Sequence, residues 1–157
     1  MKAFEWYETA ALQGDSSGQF CLAYLYENGD GVEQDHLKAL EWFEKSATQG
    51  NENAQHCLGI MYTTGKSGVH KAFEWFEKSA VQGYGDAQFC LGAVFGLGHG
   101  MDVSFVESYE WIYKAACKGS VYANQFLGDH SIEEASDIHR SLRQLANIFN
   151  SATSKIK

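Results

Sequence analysis

The feature that most constrains the fold of this chain is a ten-residue phrase that occurs three times. Residues 71–80 read KAFEWFEKSA, residues 38–47 read KALEWFEKSA, and residues 2–11 read KAFEWYETAA. A catalytic centre needs its residues once, whereas an array of structural units repeats them along the chain. The phrase therefore predicts a protein built from similar units.

Aligning the phrase on its tryptophan extends the register far beyond ten residues. The tryptophans lie 36, 33 and 36 residues apart, at Trp6, Trp42, Trp75 and Trp111. A glycine follows each of them after eight residues, and a leucine follows that glycine after eight more, at Gly14, Gly50, Gly83, Gly119 and at Leu22, Leu58, Leu91, Leu127. A small residue comes directly after each leucine, which predicts a close approach of two helices.

The period accommodates two helices in each unit. Ala39, Phe43 and Ala47 recur at i, i+4 and i+8, so this stripe is expected to face the core of an amphipathic helix. Gly50 then lies at the helix C-terminus, where a left-handed conformation favours glycine. Proline is absent from the chain, which favours uninterrupted helices.

These residues resemble the Sel-one-like repeat (SLR) family, a branch of the tetratricopeptide-like helical repeats, over roughly residues 2–128. The family's two half repeats, G-x-x-x-A-x-x-x-L-G-x-x-Y-x-x-G and A-x-x-W-[YF]-x-K-A-A-x-x-G, are matched by Gly50, Ala54, Leu58, Gly59, Tyr62 and Gly65 and by Ala72, Trp75, Phe76, Lys78, Ala80 and Gly83. The resemblance implies an all-α fold, a right-handed α-solenoid of about four helix-turn-helix repeats.

One repeat domain is expected over residues 1–150. Its units are predicted near residues 2–14 (a half repeat), 15–50, 51–83, 84–119 and 120–150. Ser131 and Glu134 form a capping-box pattern, and an apolar stripe follows, so residues 132–150 are predicted as a capping helix that closes the array. Residues 151–157 are expected to fray. The half repeat at the start either follows a further segment or is covered by a partner chain, which makes self-association through it an expectation.

The charge of the chain bears on its partners. The net charge is −8, and residues 1–130 carry 8 Lys, no Arg and 17 acidic residues. An acidic body repels the phosphates of nucleic acid and suits a basic protein partner, although solubility alone would also explain it. No apolar run reaches the roughly 18 residues of a membrane span, and no signal peptide is recognisable, so a cytoplasmic location is expected. A leader removed earlier would leave no trace in the sequence.

Residues that could carry chemistry are few. Cys21, Cys57 and Cys90 occupy one repeated position without any C-x-x-C pair, which indicates reduced, buried thiols rather than a disulfide framework or a zinc site. His56 and Cys57 are adjacent and point apart on a helix. The segment GLGHG at 96–100 lacks the strand and the Lys-Ser or Lys-Thr of a phosphate loop. No catalytic residue, metal site or cofactor is predicted.

The resemblance places a partner-binding groove on the first helix of each pair, near residues 15–28, 51–64, 85–97 and 120–130. Side chains two positions before and after the leucine, and one turn earlier, are expected to point into it. The predicted groove residues are Phe20, Tyr24, Asn53, His56, Ile60, Asp86, Phe89, Tyr122, Gln125 and Asp129. Several are aromatic, which is typical of binding anchors. The alternative is that loops or the neighbouring helix cover them.

The sequence therefore predicts a non-catalytic protein–protein interaction module, a scaffold or adaptor. A sharper variant is an immunity protein that neutralises a cognate bacterial toxin, since the chain is small and acidic and some bacterial relatives are believed to act this way. A third possibility is hydrolysis of beta-lactam-like compounds, proposed for cysteine-rich relatives. Those relatives pair their cysteines within each unit, and this chain places its cysteines differently.

Overall fold

The computed structural model of the protein describes residues 2–63, 68–97 and 104–128, which contain eight helices and no strand. The chain divides into two compact units, one ending at Gln82 and one beginning at Gly83. The first contains α1 (Lys2–Leu12), α2 (Ser16–Asn28), α3 (His36–Thr48), α4 (Glu52–Thr63) and α5 (Val69–Gln82). The second contains α6 (Gly85–Leu97), α7 (Phe105–Cys117) and α8 (Val121–Leu127).

The helices alternate between two types. A-type helices, which carry the repeated leucine, are α2, α4, α6 and α8, and B-type helices, which carry the repeated tryptophan, are α1, α3, α5 and α7. In the first unit each helix packs against the next one along the chain, from α1 to α5. In the second unit α7 packs against α6 and α8, and α8 also contacts α6.

The core of the first unit is made largely of alanine. Ala39, Phe43 and Ala47 on α3 are all buried, which confirms the predicted stripe, and the repeated leucines Leu22 and Leu58 are buried beside them. Small side chains let neighbouring helix backbones come close, so a thin layer of side chains is enough to fill the space between them. In the second unit Ile112, Ala115, Ala116 and Ala123 form a buried cluster, against which Phe89 and Leu127 pack.

The small residue after the leucine is required where a B-type helix crosses an A-type helix. A Cβ atom built on Gly59 would collide with the ring of Phe76 on α5. A Cβ atom on Gly92 would lie 2.7 Å from Cγ1 of Ile112 on α7. The predicted close approach is therefore confirmed at both crossings.

Helix ends are fixed by glycines and by short polar side chains. Gly14, Gly50, Gly83 and Gly119 follow the B-type helices with φ values of 89°, 94°, 99° and 82°, the left-handed geometry that the sequence predicts for Gly50. Asp15 accepts a hydrogen bond from the amide of Gly18, and Asp35 accepts from the amides of Leu37 and Lys38. These N-caps satisfy amides that a helix cannot pair internally, and the apolar pattern gave no sign of them.

A buried polar ladder links the helices of the first unit. Ser46 Oγ on α3 donates to the carbonyl oxygen of Ser16 at 2.7 Å, and Ser79 Oγ on α5 donates to that of Glu52 at 2.8 Å. Gln55 Nε2 on α4 donates to the carbonyl oxygen of Ala47 at 3.1 Å, and Gln55 Oε1 accepts from Gln82 Nε2 at 2.8 Å. Each buried glutamine therefore ties its A-type helix to the B-type helices on both sides.

The same ladder occurs one repeat earlier. Gln19 Nε2 donates to the carbonyl oxygen of Ala11 at 3.3 Å, and Gln19 Oε1 accepts from Gln49 Nε2 at 2.7 Å. The two sets of bonds match residue for residue, so the ladder recurs in both repeats of the first unit; on α7 the positions equivalent to Ser79 and Gln82 hold Ala115 and Lys118. The apolar periodicity of the sequence does not predict it.

The predicted capping helix over residues 132–150, the tail at 151–157 and the groove residue Asp129 lie outside the described residues. Within the part of the chain that is described, every helix is too short or too polar to cross a membrane.

Candidate partner-binding surfaces

The first candidate surface lies on α2 and is built on an aromatic pair. The ring centroids of Phe20 and Tyr24 are 6.4 Å apart, and the Phe20 ring lies 5.9 Å from that of buried Phe43 on α3. Phe20 is therefore half-buried, whereas Tyr24 is 51% exposed. The arrangement leaves one large aromatic side chain in solvent on a support that the core holds in place.

The predicted groove residues on α4 differ in how far they are covered. Ile60 is exposed, while Asn53 and His56 are half-buried. The His56 ring lies 6.0 Å from the ring of Phe76 on α5. Ile60 is thus the most exposed of the predicted groove residues on α4, and His56 takes part in the contact between α4 and α5.

The second unit carries its own aromatic surface. The ring of Phe89 on α6 stacks on Tyr122 of α8 with centroids 5.9 Å apart, and it meets Phe126 edge-on at 6.3 Å. Tyr122 and Phe126 are both more than half exposed, at 59% and 65%, and Phe89 is half-buried beneath them. Three rings therefore form one cluster whose outer members face solvent.

Phe126 was absent from the predicted groove. It occupies the position that holds Cys21, Cys57 and Cys90 in the other A-type helices. The signal that could have found it is this departure from the repeat, a large aromatic where the other units place a small thiol.

The polar residues predicted for the second unit have different surroundings. Asp86 Oδ1 accepts a hydrogen bond from Ser120 Oγ at 2.7 Å, so its carboxylate helps to join α6 to the start of α8. Gln125 is exposed. Of the two, Gln125 is the side chain that remains open to a partner.

The B-type helices carry a repeated lysine–tryptophan pair that the sequence analysis did not interpret. Lys45 Nζ lies 3.8 Å from the ring centroid of Trp42, Lys78 Nζ 4.2 Å from that of Trp75, and Lys114 Nζ 4.1 Å from that of Trp111. Each contact is a cation–π interaction between residues i and i+3, and it covers part of a large ring on an acidic protein. At Trp6 the lysine is replaced by Thr9, and Trp6 is 76% exposed.

Two of the repeated thiols, Cys57 and Cys90, are unsuited to nucleophilic chemistry. All four cysteines are free. Burial raises the pKa of Cys57 and that of Cys90 to about 11, with the carboxylates of Glu27 and Asp86 adding a smaller effect in the same direction. Since the thiolate is the nucleophile, these two groups are inert at neutral pH. Among the described residues, no three His, Cys, Asp or Glu side chains are grouped closely enough to hold a metal ion.

Comparison with known proteins identifies the repeat. A model of the Sel1 repeat matches residues 1–15, 16–51, 53–84 and 85–120. A Sel1 repeat protein from Oxalobacter formigenes has a similar structure, with a TM-score of 0.71, 34% identity, and coverage of 83% of this chain and 100% of the other.

Two further solved structures are similar to this chain, one over only a part of its own length and the other with a low TM-score. A protective antigen present in uropathogenic Escherichia coli strains, which displays an SLR fold, matches with a TM-score of 0.72 and 40% identity over 76% of this chain, and the match spans only 26% of that protein. An immunity protein from Pseudomonas aeruginosa matches 90% of this chain and 71% of its own length, but a TM-score of 0.48 and 19% identity are too low to support any inference about function. No curated protein matches the chain.

Four matched repeats cover most of the chain, and the described helices alternate as two-helix repeats require. Proteins built from this repeat fold as all-α solenoids. They are generally non-catalytic interaction modules. The chain belongs to the Sel1 repeat family.

Proposed function

We propose that this chain is a non-catalytic scaffold or adaptor that binds a protein partner through the exposed apolar side chains of its A-type helices. The observation that carries the proposal is Tyr24, which is half exposed although it rests on a ring that the core fixes. Ile60 on α4 and the outer rings of the cluster on α6 and α8 are exposed in the same way. Exposed apolar groups on helices that otherwise bury theirs are typical of a binding surface.

The physical basis is the energy of burying a preorganised aromatic ring. Tyrosine has few side-chain torsions, and contact with Phe20 restricts them further, so little conformational entropy is lost when a partner covers it. Its hydroxyl can stay hydrogen-bonded at the edge of the contact. The acidic surface would add long-range attraction for a basic partner and would chiefly raise the association rate.

The contact with the core determines which substitution tests the surface. Replacing Phe20 by aspartate would disturb its packing on Phe43 and so would confuse loss of binding with loss of structure. Tyr24→Asp places the same charge on a side chain that solvent already reaches. Leu37→Asp is the matched control, because Leu37 is also exposed and apolar but lies on the B-type helix α3.

The experiment is capture of proteins from a lysate of the source organism by the wild-type chain, by Tyr24→Asp and by Leu37→Asp. We expect one protein to be retained by the wild type and by Leu37→Asp and lost with Tyr24→Asp, while circular dichroism shows equal helicity in all three. Equal retention by Tyr24→Asp would exclude the α2 surface as the contact. Tyr122→Asp tests the surface of the second unit in the same way.

The identity of the retained protein decides the specific role. A toxin domain, followed by rescue of growth when toxin and this chain are produced together, would identify an immunity protein. A secretion, envelope or signalling component would identify an adaptor. Turnover of a beta-lactam by the purified chain would contradict the non-catalytic proposal.

A further inference from the structure

A carboxylate accompanies the three-ring cluster of the second unit, which consists of Phe89, Tyr122 and Phe126. Asp86 precedes Phe89 by three residues on α6, so the two side chains are neighbours on one face of that helix. Asp86 Oδ1 accepts the hydrogen bond from Ser120 Oγ, two residues before Tyr122, and Asp86 Oδ2 takes no part in this bond. The start of α6 therefore presents an acidic group on the side where the rings lie.

This acidic group is a departure from the repeat. The positions equivalent to Asp86 hold Ser17 on α2, Asn53 on α4 and Tyr122 on α8. A carboxylate at this position thus occurs on α6 alone among the A-type helices, and it occurs beside the largest group of exposed rings on them. A repeat scaffold is generic, so a combination that one unit has and the others lack is where a specific contact is expected.

The chain itself shows what packs on the face of its aromatic rings. Five lysine ammonium groups lie within 5.3 Å of a tyrosine or tryptophan ring centroid, those of Lys38, Lys45, Lys71, Lys78 and Lys114. A cation is attracted to the negative face of an aromatic ring, and the lysine stem covers apolar surface at the same time. In the part of the chain that the structure describes, none of these lysines lies over a ring of the three-ring cluster.

The elements that carry the cluster cannot supply such a cation. Neither α6 nor α8 contains a lysine or an arginine. Lys118, which follows α7, lies against Gly83 and Gly85. Phe89 covers one face of the Tyr122 ring, and because that ring is still 59% exposed, its other face is open to solvent.

We propose that the three-ring cluster and Asp86 form a recognition site for one cationic side chain, a lysine or an arginine, of the protein partner. The cation would lie over the open face of Tyr122 and donate a hydrogen bond to Asp86 Oδ2. The inference rests on the proposed function and adds to it the chemistry of one contact. An apolar anchor would use the rings alone, whereas a cation uses both the rings and the carboxylate.

The probe is the peptide acetyl-Gly-Lys-Gly-amide, and its control is the same peptide with Nε-acetyllysine, which keeps the stem and removes the charge. The full chain is labelled with 3-fluorotyrosine, and the signal of Tyr122 is assigned with Tyr122→Leu. We expect the lysine peptide to shift this signal with a Kd on the order of 10 mM at low ionic strength. The acetyllysine peptide should bind at least about fivefold more weakly.

A matched pair of variants tests the carboxylate. Asp86→Asn keeps an oxygen that can accept from Ser120 Oγ but removes the charge, so we expect the Kd of the lysine peptide to rise about two- to fivefold while the fold is retained. Glu107→Gln removes the same charge from an exposed residue of α7 and should leave the Kd unchanged. Raising the ionic strength from about 0.01 M to about 0.15 M should weaken binding to the wild type more than binding to Asp86→Asn.

The ring is tested from the side of the ligand. A cation over an aromatic face has its neighbouring protons shifted upfield by the ring current, so the lysine Cε protons should shift in the presence of the wild type. Tyr122→Leu keeps an apolar side chain and removes the ring, so this upfield shift should fall by at least about half. An unchanged shift with Tyr122→Leu would overturn the placement of the cation on the cluster.

Other outcomes would overturn the remaining parts of the inference. Equal binding of the lysine and acetyllysine peptides would mean that the cluster takes an apolar group. The chain has two arginines of its own, Arg140 and Arg143, both outside the described residues. If replacing both by glutamine shifts the Tyr122 signal of the free chain and tightens peptide binding, the chain itself supplies the cation and the assignment to a partner is wrong.

The peptide experiment and the lysate experiment can fail separately. A partner that the wild type captures and Tyr122→Asp loses, together with no binding of the lysine peptide, would support the proposed function and overturn this inference. Binding of the lysine peptide with the expected dependence on Asp86, together with no captured partner, would support the cation site and count against the scaffold.

Discussion

The buried polar ladder makes a sharp prediction at Gln55. The side chain is 5% exposed, its Nε2 donates to the carbonyl oxygen of Ala47, and its Oε1 accepts from Gln82. Gln55→Glu keeps the shape and the acceptor but removes the donor. At neutral pH a carboxylate oxygen would then face the Ala47 carbonyl oxygen at about the present 3.1 Å.

The destabilisation has an upper bound set by proton uptake. The buried carboxylate can escape repulsion and desolvation by binding a proton, which restores a donor toward Ala47. Holding a carboxyl of ordinary pKa about 4.3 protonated at pH 7 costs about 3.7 kcal/mol. Loss of the donor with a buried acceptor left unpaired sets a lower bound of about 1 kcal/mol. We therefore expect the free energy of unfolding to fall by about 3 kcal/mol at pH 7.

The pH dependence follows from the sign of the shift. The folded-state pKa of the introduced carboxyl is raised above its unfolded value, so the unfolded state releases the proton more readily and destabilisation grows with pH above about 4.3. Below that pH both states are protonated and the cost should shrink to under about 1 kcal/mol.

The assay is urea denaturation of Gln55→Glu and of the wild type at pH 7 and at pH 4, followed by circular dichroism. Gln13→Glu is the control, because Gln13 is exposed directly after α1 and outside the ladder, and its variant should stay within about 0.5 kcal/mol of the wild type. A loss for Gln55→Glu that is the same at both pH values would refute the reasoning, and so would a loss below about 1 kcal/mol at pH 7.

Two further predictions concern packing and the thiols. Gly59→Ala should lower the free energy of unfolding by about 1–3 kcal/mol in a denaturant titration, since its Cβ would meet the ring of Phe76, and a second change, Phe76→Leu, should cost less in this background than in the wild type. Burial raises the pKa of Cys57 and of Cys90 to about 11, so each thiol favours the folded state only while it is protonated. This contribution to the free energy of unfolding is complete below about pH 9 and is lost as the pH rises toward 11. Thermal melts should show this loss reduced in Cys57→Ala, and a maleimide at pH 7 should label exposed Cys117 first.

The residues that were predicted correctly are those whose surroundings repeat with the sequence. Leu22, Leu58 and Leu91 are all at most 1% exposed, and the glycine after each B-type helix adopts the expected left-handed φ. A recurring residue whose neighbours recur as well has a role that can be inferred from the sequence without any coordinates. Leu127 on α8, the last described helix, is only half-buried.

The polar ladder could not be predicted from apolar periodicity, because that pattern treats serine and glutamine as solvent-facing residues. A signal was nevertheless present. Gln19, Gln55 and Gln88 recur at one position, as do Ser46 and Ser79 at another, and all five are buried. Repetition alone is not the signal, because exposed residues such as Glu41 and Glu74 recur as well. A polar residue that recurs three positions from a buried apolar one, as Ser46 does from Phe43 and Gln55 from Leu58, indicates a buried hydrogen bond between helices.

The exposure of the candidate surface residues is harder to predict, because spacing along one helix does not determine how much of a side chain the neighbouring helix covers. Phe20 and Tyr24 are one turn apart on α2, yet Phe20 reaches the core through Phe43 and Tyr24 does not. Spacing on one helix gives the direction of a side chain, whereas its exposure depends on how far the neighbouring helix extends over it. That distance is set by packing between helices and is not encoded in the spacing.

Under the proposed function, the residues that select a partner are expected where the units differ. The position two residues after the repeated leucine holds Tyr24, Ile60 and Ala93 in successive A-type helices, while the leucine itself does not change. Substitution at an exposed position leaves the stacking of the repeats intact, so it can alter the surface offered to a partner without a cost in stability. Tyr24 combines this freedom with a rigid aromatic support, and it is therefore the residue at which the proposed binding can be tested with the least effect on folding.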